Sequence, residues 1–172
     1  MIKLLFLAAL ALSAQAASSS PVQIPETSIS FTPPDGFTLL AEAEIHAKFP
    51  SRTGPASAVG NERRTTTVAY DVRDVAVTDA ILESQLKEIS TTSARAIPGF
   101  ALVEQDMRTI NGRRWAYIEF KSTAIDADIR NILMMSEYEG RMVVLNFNST
   151  ASDFENLELQ LRKSILSLSQ GE

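Results

Sequence analysis

Cysteine is absent from the 172-residue chain, which excludes disulfides and thiolate metal sites. Histidine occurs once, at His46, so a zinc-type site lacks the imidazoles it draws on, and a Ser-His-Asp triad has a single candidate base. No serine lies in a nucleophile-elbow motif. Basic residues never gather into a run, and 16 Lys+Arg against 21 Asp+Glu give a net charge of -5. That balance argues against nucleic acid and anionic membrane surfaces as partners. No cofactor or metal is expected. There is no internal repeat and no low-complexity block.

Long apolar runs are missing too. The one near the start, Leu4 to Leu12, is too short to span a bilayer. With Lys3 before it and Ala14-Gln15-Ala16 after it, it reads as a secretory signal cleaved after Ala16. No cysteine follows, so the bacterial lipoprotein route is excluded. Export without disulfides suits a bacterial periplasm, and the expected product is soluble, periplasmic or secreted, with no stable membrane insertion after cleavage. Loss of Lys3 takes the net charge to -6. The expected organisation is a signal over 1–16, a disordered polar leader over 17–26, and one domain over 27–172.

What is present is a strong sheet signal between Thr109 and Asn148, including the only tryptophan. Asn111-Gly112 and Glu139-Gly140 each mark a tight turn, because glycine tolerates the positive φ that short hairpins require. The second turn sets a register of Ser136 with Val143, Met134 with Leu145 and Ile132 with Phe147 on an apolar face. Met135 with Val144, Leu133 with Asn146 and Asn131 with Asn148 share the other face, which is mixed and therefore half covered. From Arg113 to Lys121, Ala116, Ile118 and Phe120 alternate with Trp115, Tyr117 and Glu119, the period of a pleated strand.

Further strands are predicted at Ile29–Thr32, Arg64–Asp71 and Ala101–Ile110. Within Phe37–Phe49, Ala41–Lys48 holds good helix formers, but Ile45, Ala47 and Phe49 alternate, and a strand is expected in the second half of Phe37–Phe49. Pro50, Gly54, Pro55 and Gly60 mark Pro50–Asn61 as a loop. A helix is predicted over Asp79–Ala96, capped by Thr78 and striped by Leu82, Leu86, Ile89 and Ser93. The terminal helix shows a Ser152/Glu155 capping box, an apolar stripe at Phe154, Leu157, Leu161, Ile165 and Leu168, and an added width at Leu159 and Leu166. Antiparallel strands interrupted by two helices give an α+β fold with helices packed on the sheet.

Several motifs together resemble the PsbP-like α/β/α sandwich. They are Phe31-Thr32-Pro33-Pro34-Asp35-Gly36-Phe37, Lys48-Phe49-Pro50, Asn61-Glu62-Arg63, and Ile110-Asn111-Gly112-Arg113-Arg114-Trp115-Ala116-Tyr117-Ile118-Glu119-Phe120. The Gly140-Arg141-Met142 turn and the terminal Ser164-Ile165 also fit. The resemblance implies a flanked antiparallel sheet and largely non-enzymatic assembly factors, accessory subunits and adaptors. It carries no catalytic residue, and no photosynthetic motif matches.

Candidate binding residues are those common at protein interfaces: Arg52, Glu62, Arg63 and Arg64 in and beside the long loop, and Arg113 and Trp115 on the strand. The alternative for Trp115 is burial under a helix, with arginine stems over its edge. Asp126 and Asp128 lie between two strands, short of the ligands of a calcium loop. The sequence thus favours a non-catalytic binding or accessory module with a protein partner. An immunity protein acting on a secreted toxin is the first alternative. A hydrolase, with Glu119 and Glu137 as paired carboxylates, is the second.

Overall fold

A computed structural model describes residues 19–51 and 54–171. The expected signal over 1–16 and Arg52 lie outside the described residues. In chain order the elements are β1 (Val22–Gln23), β2 (Ile29–Phe31), β3 (Thr38–Leu39), α1 (Glu42–Lys48), β4 (Ser57–Gly60), β5 (Thr66–Arg73) and α2 (Asp79–Ala96). There follow β6 (Ala101–Ile110), β7 (Arg113–Thr123), β8 (Asp128–Tyr138), β9 (Arg141–Thr150), α3 (Ala151–Leu166) and β10 (Ser169–Gln170).

The main sheet is antiparallel, in the order β3-β4-β5-β9-β8-β7-β6. Its central strands are hairpins, and both tight turns place their two middle residues at positive φ: Asn111 at 46° with Gly112 at 84°, and Glu139 at 50° with Gly140 at 79°. Two such residues give a turn whose twist matches the strands it joins. The β8–β9 register is the one that this turn dictates, with Ser136 opposite Val143, Met134 opposite Leu145 and Leu133 opposite Asn146.

Helices cover the two faces. On one, Leu82 and Leu86 of α2 pack on Ala116, Ile118 and Met135. On the other, Phe154, Leu161 and Ile165 of α3 join Trp115, Tyr117, Ile132, Met134, Leu145 and Phe147. A small sheet, β1-β2-β10, closes that second side, and its Phe31 meets Tyr70 edge-on at 5.4 Å. The architecture is an α+β sandwich with helix layers on both sides of the sheet.

Five local expectations are corrected. The leader is ordered from residue 19 onward, since Val22 pairs with Phe31 and Ile24 is 0% exposed. Two apolar anchors there outweigh the polar composition around them. Ala41–Lys48 ends as a helix, because the Glu44 carboxylate accepts the Ala41 amide at 2.7 Å and the Phe49 amide closes on the Ile45 carbonyl at 2.8 Å. Only Ile45 of this helix is buried, so the alternating apolar residues do not mark a strand. The second half of the long loop is β4, whose Ala58 and Val59 oppose Ala69 and Val68. At α3 the cap is Thr150, whose hydroxyl accepts the Asp153 amide at 3.3 Å, and not Ser152. The exposed Leu159 and Leu166 lie off its apolar stripe.

One charged side chain is sealed between the sheet and α3. Glu119 of β7 is 1% exposed and takes Arg130 of β8 at 2.6 Å and Arg162 of α3 at 3.2 Å. The Tyr117 hydroxyl donates to the same carboxylate, and Arg162 also reaches Glu158 at 2.8 Å. Burial alone raises a carboxyl pKa, but the Tyr117 and Arg130 hydrogen bonds and the two guanidinium charges outweigh it and hold Glu119 below its ordinary 4.5. Burial, then the Glu119 bond, pushes the Tyr117 phenol up to about 12.

Two predictions test this packing. Leu161 is 0% exposed at the centre of the α3 stripe, so Leu161→Ala is expected to cost ~2–5 kcal/mol in chemical denaturation. A loss under about 1 kcal/mol would mean that α3 does not seal the core. For Glu119, a folded-state pKa below the unfolded value gives stability that is present above pH 4.5 and lost as pH falls below it. Glu119→Gln removes that contribution and strands two guanidinium groups, at a cost of about 3 kcal/mol at neutral pH. Denaturation midpoints of both proteins from pH 7 to acid are therefore expected to converge, and a constant gap would refute the linkage.

Candidate functional site

On the α2 face of the sheet, register sets the side chains in rows. Ala69 of β5 lies beside Asn146 of β9, and Asn146 beside Leu133 of β8; Asp71 lies beside Val144, and Val144 beside Met135. The helix α2 covers only the β7–β8 side of these rows. At the opposite side, α1 and the segment after it cover Leu40, Ala58 and Ala69 with Ile45 and Phe49. Between the two covers lies an open groove of about 460 Å³. Leu133, Val144, Asn146 and Asp71 floor it, and Lys48 and Phe49 form a wall. This is the mixed, half-covered face that the polar and apolar alternation of the β8–β9 hairpin foreshadows.

The wall depends on a tight return of the chain. The Gly54 amide donates to the Ser51 carbonyl at 3.0 Å. A Cβ on Gly54 would stand 3.0 Å from the Phe49 carbonyl oxygen and 3.2 Å from that of Ser51, so glycine is what permits the approach.

The groove holds charge in partly dry surroundings. Burial raises the pKa of Asp71, against the opposing charge of Arg73, whose Nε is 3.9 Å away. Burial lowers the pKa of Lys48, whose Nζ donates to the Arg64 carbonyl at 2.9 Å. The side-chain oxygen of Asn146 is buried and has no hydrogen-bond partner among the described residues. An apolar floor with a desolvated carboxylate and an open amide can seat a side chain of another molecule and hydrogen-bond it. Lys48 belongs to the Lys48-Phe49-Pro50 motif, Asp71 and Asn146 lie in no motif, and only the β5–β9 register brings these last two together.

The residues expected to meet a partner divide. Trp115 is 1% exposed and packed in the α3-side core, so its indole is closed to any partner. This corrects its candidacy and follows from β7 being covered on both faces. Arg113 donates to the Glu137 carbonyl and the Gln170 side chain, and lies 5.3 Å over the Tyr138 ring, tying β10 to the hairpin. Arg64 binds Glu44 at 2.9 Å and the carbonyls of Gly60 and Asn61 at 3.0 Å, so it clasps α1 to the β4–β5 turn. Arg63 reaches Asp153 at 2.9 Å with its side chain 72% exposed, and Glu62 beside it is exposed. Those two remain accessible, on a turn anchored to the start of α3.

The other candidates resolve plainly. Glu119 faces α3 together with Ile132, its register partner, whereas Glu137 sits at an odd offset from Ile132 and faces α2. The sheet separates these two carboxylates, so they cannot flank one bond. Asp128 accepts the Thr123 hydroxyl at 3.4 Å, and no group of three or more His, Cys, Asp or Glu placed to hold a metal ion occurs among the described residues. His46 is exposed, 3.5 Å from Glu42. No described helix is long and apolar enough to cross a membrane.

No protein-family model matches the chain, and no curated protein matches it. Solved structures do. Cyanobacterial PsbP (CyanoP) from Synechocystis sp. PCC 6803 superposes with a TM-score of 0.64 at 10% identity, over 96% of this chain and 99% of that one. LpqN, involved in cell envelope biogenesis of Mycobacterium tuberculosis, gives 0.56 at 13% identity, over 90% of this chain and 86% of that one. PA94 of Pseudomonas aeruginosa, a protein of unknown function, gives 0.53 at 13% identity, over 91% and 99%. At these identities the likeness is one of fold. The chain has the PsbP-like fold.

Proposed function

We propose that the protein is a non-catalytic accessory module of the bacterial periplasm that recognises a protein partner through the groove between α1 and α2. The observation that carries this reading is the groove itself: a stretch of central sheet left uncovered, with an apolar floor and a half-buried carboxylate, walled by the segment after α1. Such a surface resembles the core of an interface more than a reaction centre. The Glu119 carboxylate, fully held by two arginines and a tyrosine, has no freedom to act as a general acid or base. The net charge of -5 suits a basic partner, and Asp71, set between Lys48 and Arg73 in the groove, offers a carboxylate to a single donor on that partner. That charge also supports the immunity reading, in which the partner is a secreted toxin. LpqN, described as involved in cell envelope biogenesis, supports the accessory reading by likeness of fold.

Asp71→Arg tests the proposal, since it replaces the groove's one carboxylate with a third cation beside Lys48 and Arg73 and fills the space, while giving up the Arg73 ion pair and the Val72 and Ala56 backbone hydrogen bonds, which do not offset the cost of burying that carboxylate. Its cost in stability is expected to stay below about 1 kcal/mol. Tagged wild-type and variant proteins are used in parallel to capture partners from envelope extract. A protein retained by the wild type and lost by an equally stable variant supports the reading. Identical captures by both would move recognition away from the groove.

A further inference from the structure

The sheet order leaves β3 and β6 as the two edges of the main sheet. The edge at β3 is two residues long, but β6 runs for ten, and only Ile110 among them is buried. An edge of that length offers a row of backbone donors and acceptors to another strand. Which groups point outward follows from the turn. Ile110 and Arg113 flank a two-residue turn and are register partners, so they exchange both backbone bonds. Alternation then turns the N–H and C=O of Thr109, Met107 and Gln105 away from β7. The Met107 amide agrees, since it donates to its neighbour Asp106 at 2.7 Å.

We propose that β6 pairs antiparallel with β6 of a second copy of this chain, about a two-fold axis through Met107. Opposed residues in such a pair must share the same outward or inward sense, which any residue on the axis satisfies; an axis at Asp106 or Arg108 sets that residue against its own copy, like charge against like, which leaves Gln105, Met107 and Thr109. An axis at Gln105 sets Glu104 against the second copy's Asp106, two carboxylates facing one another. An axis at Thr109 sets Arg108 against Ile110 and leaves the guanidinium unmatched. An axis at Met107 sets Asp106 against Arg108 twice, with Gln105 against Thr109 on either side of the paired methionines. Only this register matches its charges.

The Asp106–Arg108 pairs fall at non-hydrogen-bonded positions, where side chains of opposed strands stand closest. Arg108 is already held in place, over the Tyr117 ring at 3.3 Å and in an ion pair with Glu104. Asp106 is exposed, and its carboxylate accepts the Met107 amide. On pairing, the second copy's Met107 carbonyl takes that amide, and the Asp106 carboxylate turns to the second copy's Arg108. No backbone donor is left unmet. The irregularity between Leu102 and Glu104 ends the matched stretch, so pairing runs from Glu104 to Ile110.

Sedimentation of the purified protein tests this. The wild type is expected to sediment as two copies. Asp106→Lys and Arg108→Asp are each expected to sediment as one copy, because each puts like charges opposite one another. An equimolar mixture is expected to restore a dimer holding one chain of each kind, identified by native mass spectrometry. A wild type of one copy, a variant that stays dimeric, or a mixture that stays monomeric overturns the proposal. Circular dichroism checks the fold of each variant. If Arg108→Asp fails to fold, Asp106→Lys decides alone, since that side chain is exposed, and its persistence as a dimer would place the interface elsewhere.

Discussion

The clasp around Glu119 is the interaction on which the molecule most depends. A carboxylate that is 1% exposed is costly unless its lone pairs are filled, and here a tyrosine and two arginines fill them from three elements. Tyr117 and Glu119 come from β7, Arg130 from β8 and Arg162 from α3, so the carboxylate is satisfied only when the helix lies at one place along the sheet. Apolar burial supplies the attraction between α3 and the strands, but apolar contact is less directional than a charged hydrogen bond. The clasp fixes the position, and Arg63 with Asp153 repeats the device at the helix start, at 2.9 Å.

Because β7 is covered by α3 on one side and α2 on the other, Trp115, Ala116, Tyr117, Ile118 and Glu119 are all buried in sequence. Cover is not extended equally to β5 and β9. Their α2-side residues, Asp71, Val144 and Asn146, are only partly buried and floor the groove. The unevenness has functional weight: a fully sealed sheet has no surface to offer, whereas this one keeps an apolar strip beside a desolvated carboxylate.

Much of the frame was legible in the residues. The Asn111-Gly112 and Glu139-Gly140 turns set the hairpin register, Thr78 and the Leu82/Leu86 spacing located α2, and Phe154 to Leu168 marked the buried side of α3. Of the short elements β2 was legible, at Ile29–Phe31, but α1 and β4 were not. The seven residues of α1 and the four of β4 carry too few apolar positions to form a period, and their state is decided by distant partners, Arg64 for α1 and β5 for β4. The site was less legible still. Arginine and tryptophan drew attention as interface residues, yet Trp115 is core and Arg64 and Arg113 are internal ties. The groove is lined instead by ordinary strand residues, which only the pairing of β5 with β9 brings side by side.

The hydrogen-bonded centre of the sheet, β7 to β9 with β7 sealed on both faces, carries the stability, while α1 and the segment to β4 form a weakly held wall over the open part of the sheet. Native-state amide hydrogen exchange, resolved by segment, tests it most directly. Amides of β7, β8 and β9 are expected to exchange only through global unfolding, at the full stability of the domain. Amides of α1 are expected to exchange through local openings of smaller free energy, because a helix of seven residues with one buried side chain cannot hold itself. Equal protection of α1 and the central strands would contradict the account.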